Sequence, residues 1–139
     1  MNYSLIVALL AGLPSLSLVS GIVLMTELKK FMAGTPRIET GQDLEHFKKI
    51  VKHQMYAALL QIVLLGTPVF IFSYGIQKGI LGFGDILYVI VPNSIVIALG
   101  LILKKLEKKG QSISASTPEL RSEVDSVVYF WKKKALPNW

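Results

Sequence analysis

The chain holds two imidazoles, His46 and His53, seven residues apart, and these are the first side chains to question for chemistry. The stretch between them reads as helix, so two turns separate them by about 10 Å. A Zn–N bond is only about 2 Å long. One metal ion is not expected to bridge them, no other ligand cluster lies near, and they read as solvated interfacial histidines. Cysteine is absent, which excludes disulfides, thiolate metal sites and cysteine nucleophiles. No serine sits beside a base, no carboxylates pair toward a common site, and no specific Gly-rich phosphate loop occurs. The residues nominate no catalytic, cofactor-binding or metal set.

The polar residues that do stand out lie in apolar surroundings. The run "YVIVPNSIVIALG", Tyr88 to Gly100, places Pro92, Asn93 and Ser94 at its middle. Pro14 is followed by Ser15 and Ser17, and Pro68 is preceded by Thr67. Each proline frees a carbonyl four residues earlier, at Leu10, Leu64 and Tyr88. In hydrocarbon those carbonyls need partners. Ser15, Thr67, Asn93 and Ser94 are the candidates to supply them. Ser15, Ser17, Thr67, Pro68, Pro92, Asn93 and Ser94 therefore form a candidate mid-membrane polar layer. Such a layer either holds kinked helices together by hydrogen bonds or lines a polar cavity of the kind broken helices build. No ionisable residue lies near it, so ion-coupled or proton-coupled chemistry lacks its usual group. Asp85 stands at the edge of the third apolar run and reads as a helix cap that complements the N-terminal dipole.

The elements that must position these residues are visible as apolar runs. Of 139 residues, 52% are hydrophobic and 17% charged, against about 25% charged in ordinary soluble domains. Mean hydropathy is +0.52. The apolar residues cluster in 3–25, 55–76 and 86–103, and a bilayer core takes about 20 residues of helix. The fold class expected is an all-α integral membrane protein with three transmembrane helices plus a C-terminal amphipathic cytoplasmic helix. Residues 3–25 carry no basic leader and no clean small-residue cleavage site, so an uncleaved span is expected rather than a signal peptide. A single membrane domain results: a cytoplasmic loop at 26–54, an outer hairpin at 77–85 and a cytoplasmic tail at 104–139.

Charge orients the spans. Of the fifteen basic residues, six lie in 26–54, eight in 104–139 and only Lys78 in the second loop. The positive-inside rule then puts the N-terminus outside and the C-terminus in the cytoplasm. The net charge of +6 faces a bilayer with anionic headgroups on that side. No nucleic-acid recognition module is present, so no nucleic acid is expected as partner. A plasma or bacterial inner membrane suits this layout.

Two amphipathic segments flank the spans. Thr40 or Asp43 caps a helix whose stripe runs Leu44, Phe47, Val51, Met55, with Glu45 and Lys49 paired on the polar side, and nothing breaks it before the second span. In the tail, Pro118 suits a first helical turn, with Ser116 or Thr117 as cap and Glu119 closing a box on Ser116. A helix of about 118–134 results. Its stripe, Leu120, Val124, Val127, Val128 and Trp131, is a candidate interfacial or partner surface; docking on the helix that precedes Met55 would bury the same stripe.

The first span repeats small residues at steps of four, and Ala8, Gly12, Ser17 and Gly21 are candidate helix-packing positions. They serve either the chain's own helices or other membrane protein chains, same or different. The functional expectation is a non-catalytic small membrane protein, a subunit, assembly or interaction factor. The alternative is a homo-oligomeric channel or transporter for a small neutral solute. A membrane enzyme on a lipid-soluble substrate comes third.

Overall fold

The computed structural model describes residues 2–139. Among them are four α-helices and one pair of two-residue strands: α1 (Tyr3–Gly34), β1 (Arg37–Ile38), α2 (Gly41–Gln77), α3 (Leu87–Gly110), β2 (Ser114–Ala115) and α4 (Pro118–Lys133). A 3-10 turn, Phe83–Ile86, leads into α3. Three helical segments are long and apolar enough to cross a membrane: Tyr3–Gly34, Gly41–Gln77 and Phe83–Gly110. Pro14, Pro68 and Pro92 lie inside α1, α2 and α3 without ending them.

The helices outrun their apolar runs. The 37 residues of α2 span roughly 55 Å at 1.5 Å per residue, against a hydrocarbon core of about 30 Å. The excess turns belong to a different packing unit. The chain divides into unit 1, Met1–Ile22 with Leu60–Leu101, and unit 2, Val23–Leu59 with Ile102–Trp139.

Unit 1 has a small core of Ile6, Leu10, Leu81 and Val89, packed by Ile71, Phe72, Ile76 and Ile80. Its tight turn follows from glycine. Gly79 adopts φ +65°, a left-handed conformation that costs glycine little. Its N–H reaches the Ile76 carbonyl at 3.0 Å, and the Ile80 N–H reaches that of Gly75 at 2.9 Å. These two bonds are the Schellman closure of a helix C-terminus. Gly75 is bare for a second reason: a Cβ there would meet Leu81 Cδ1 at 2.6 Å and Cγ at 2.8 Å.

Unit 2 has the larger core. Leu28 and Phe31 of α1, Leu44, Phe47, Ile50, Val51 and Met55 of α2, and Val124, Val127 and Val128 of α4 are buried together with Ile38 and Ile113. The α2 stripe expected from steps of three and four is this core's spine. Thr40 starts the helix: its Oγ1 accepts from the Asp43 N–H at 3.1 Å, and the Asp43 carboxylate accepts from the Thr40 N–H at 2.9 Å. This reciprocal pair is a capping box. The Asp43 carboxylate also accepts from the Thr40 hydroxyl at 2.9 Å and from the Glu39 N–H at 3.2 Å; the hydroxyl bond first, then the two N–H bonds, hold its pKa below the ordinary value, because they favour the charged form.

The loop between α1 and α2 supplies β1, which pairs in parallel with β2 in the register Arg37↔Ser114, Ile38↔Ala115. Two local expectations change. Glu45 pairs with Lys48 at 2.9 Å rather than with Lys49, because Lys48 also reaches Glu123 of α4 at 3.0 Å. Thr117 alone caps α4, accepting from the Leu120 N–H at 3.3 Å. Ser116 is taken by the strand pair instead, its N–H donating to the Ile38 carbonyl at 2.9 Å.

Candidate functional site

The prolines and their polar neighbours belong to unit 1. Pro14, Ser17 and Pro68 are fully buried, and Pro92 and Asn93 are half-buried. Ser15 and Ser94 are exposed, and Thr67 lies between these extremes. The expectation that hydroxyls serve the freed carbonyls fails in a specific way. Ser15 donates to the Ala11 carbonyl at 2.7 Å and Thr67 to that of Val63 at 2.7 Å. Each hydroxyl turns back to its own residue four earlier, the common choice inside a helix. For Ser15 that target is one residue past Leu10, and for Thr67 one short of Leu64. Ser73 does the same toward Val69 at 2.9 Å.

Two buried polar atoms remain without partners in this layer, Ser17 Oγ and Asn93 Oδ1. A buried polar atom without a bond costs about 1–3 kcal/mol. A groove of about 200 Å3 in the same unit is lined by Pro14, Ser15, Leu18, Val91, Pro92, Ile95 and Val96. Its walls are mostly aliphatic, and neither unpartnered atom's residue lines it.

The small-residue stripe of α1 splits into two environments. At Gly21 a Cβ would meet Leu99 Cδ2 of α3 at 2.9 Å, so the missing side chain is filled by the chain's own third helix. At Gly12 nothing lies within 4 Å of that position, and Ala8 one turn earlier is exposed. Ser17 faces inward and Ser15 outward.

Asp85 caps differently from expectation. It is the third residue of the 3-10 turn, not its first, and its Oδ2 accepts from the Gly82 N–H at 2.8 Å. Its Oδ1 accepts from the Tyr3 hydroxyl at 3.0 Å, which ties the start of α1 to the start of α3. No motif linked these residues, because they lie 82 positions apart.

Neither a protein-family model, nor a curated protein, nor a solved structure matches this chain.

In unit 2 the tail stripe is spent internally. Val124, Val127 and Val128 are buried, and Leu120 and Trp131 pack against the same core. Docking against the core that includes the helix before Met55 is the arrangement observed, with Leu120 and Trp131 only partly covered. The histidines are also engaged. His53 Nδ1 lies 3.2 Å from a Glu27 oxygen, and the His46 ring packs edge-on against Phe31 at 5.1 Å. Gln54, 3% exposed, donates to the Leu24 carbonyl at 3.1 Å and pins α2 to α1. None of these contacts leaves a nucleophile beside a base.

Proposed function

We propose that this chain is a non-catalytic membrane subunit, an assembly or interaction factor whose first helix offers a face to another membrane chain. The three apolar helices cross the bilayer, with the N-terminus outside and the C-terminus in the cytoplasm. The observation that carries the reading is the contrast between Gly21 and Gly12. Both are glycines of one helix, yet only Gly21 is filled from within the chain. Small residues on a membrane helix let a second backbone approach closely. Ala8 and Gly12, open on α1, retain that capacity. Ser15, Thr67 and Ser73 bond back to their own helices and Thr40, Asp43 and Thr117 serve as caps, which fits a structural role.

A homo-oligomeric pore for a small neutral solute is the second reading, and the unpartnered Ser17 Oγ and Asn93 Oδ1 favour it. Purification in mild detergent separates the two. A partner of different sequence that is released by Gly12→Leu supports the subunit. A closed ring of identical chains supports the pore.

A further inference from the structure

The last turns of α3 and the end of α4 enclose a cleft of about 260 Å3, lined by Lys104, Glu107, Lys108, Gln111, Trp131 and Lys132. Positions 104, 107, 108 and 111 recur at steps of three and four, so they share one side of the helix end. Gly110 sets how near α4 comes. A Cβ there would lie 3.3 Å from a Trp131 ring carbon and 3.3 Å from Leu28 Cδ1. The bare backbone admits the indole as a wall of the cleft. Phe47 holds the same indole edge-on, with centroids 6.2 Å apart.

The charges in this cleft are unbalanced. Among the described residues, the ion pairs of unit 2 use Lys48, His53 and Arg121. Lys104, Lys108 and Lys132 are not among them. Glu107 is the one carboxylate in the lining, and burial holds its pKa above the ordinary value, with Lys104 opposing. Three lysines, an amide and an indole, against a single carboxyl, therefore line a space several waters in volume, a water's share being about 30 Å3. The group that fits is a phosphate.

The register of the cleft identifies its source. Lys104 follows the apolar run that ends at Leu103, the level at which basic pockets between helices meet lipid headgroups. Indole rings are enriched at that same level. We propose that this cleft binds the phosphate of an anionic membrane lipid. The proposal rests on the reading of the apolar helices as membrane spans. A soluble phosphate presents the same chemistry, so the test must distinguish the two.

The chain has two tryptophans, and Trp139→Phe leaves Trp131 as the sole reporter. The full chain in this background is placed in phosphatidylcholine nanodiscs with brominated phosphatidylglycerol or brominated phosphatidylcholine at matched fractions. Brominated phosphatidylglycerol should quench Trp131 with the higher relative binding constant. Lys108→Gln with Lys132→Gln should lower that preference about tenfold, at about 1 kcal/mol per basic residue less screening. Lys49→Gln with Lys52→Gln should leave it unchanged. Equal quenching by both lipids overturns the site, as does equal loss in both double variants. If inorganic phosphate alone shifts Trp131 emission through Lys108 and Lys132 in pure phosphatidylcholine discs, the lipid assignment is overturned. Failure of the chain to enter discs would overturn the membrane reading and the site together. Lost discrimination with full incorporation overturns only the site.

Discussion

Asn93 carries the sharpest test at the scale of single residues. Its Oδ1 is buried and unpartnered, so the amide costs stability where it stands. Asn93→Leu removes the unsatisfied group and should leave stability level or raise it by about 1 kcal/mol, read from the thermal midpoint in detergent. A loss of several kcal/mol would mean that the amide has a partner. Two carboxylates give opposite pH dependences. The capping bonds hold Asp43 below its ordinary 3.8, so its stabilisation is present above that value and is lost as pH falls through the lower folded value. Asp43→Asn should therefore be less stable than the parent at neutral pH, and the gap should close in acid. Burial holds Glu107 above its ordinary 4.5. Its relative stabilisation is present below that value and is lost as pH rises through the folded value. Glu107→Gln should be the more stable form at neutral pH, again converging in acid. Same-sign effects in the two variants would contradict the assignment of causes.

Helices and strands pose a different question, namely which of them depend on each other. Phe47 of α2 is fully buried in unit 2 and touches Phe31 of α1 at 5.8 Å and Trp131 of α4 at 6.2 Å. Phe47→Ala should cost about 3–5 kcal/mol and expose α4 to proteolysis, which limited trypsin digestion reads directly. Retained protection would mean that α4 holds by its strand pair and ion pairs alone. The helices themselves were legible, because apolar runs and steps of three and four persist over many residues: α4 runs Pro118–Lys133 where 118–134 is expected. The Thr40–Asp43 start was legible for the same reason, since a capping box is local. The parallel pair of Arg37–Ile38 with Ser114–Ala115 was not, because two residues carry no alternation. Amphipathicity shows that the face of α4 must be covered but not by what; in the structure Val124, Val127 and Val128 are buried in the core of unit 2. The Tyr3–Asp85 and Glu27–His53 contacts join positions far apart in the chain, where no periodicity speaks. In the candidate layer the prolines and polar residues could be located, but not the turn of Ser15 and Thr67 back onto their own helices.

At the scale of the whole molecule, the lack of cysteine makes single-cysteine labelling clean. Cysteine at Asn2 or Gln77 should react with an impermeant maleimide from outside, and cysteine at Gln42 or Ser122 only after the membrane is opened. Outside labelling of Gln42 or Ser122 would reverse the orientation read from the lysines. The central claim is that α1 presents an unfilled small-residue face to another chain. Its most direct test is the particle mass of the chain solubilised in mild detergent, alone and as Gly12→Leu, with Gly21→Leu beside it. The account predicts a particle larger than the 15.4 kDa chain that contains a second sequence. Gly12→Leu should release that partner without lowering thermal stability, whereas Gly21→Leu should lower stability through the clash with Leu99. A particle of one chain only, or one whose composition Gly12→Leu leaves unchanged, would contradict it.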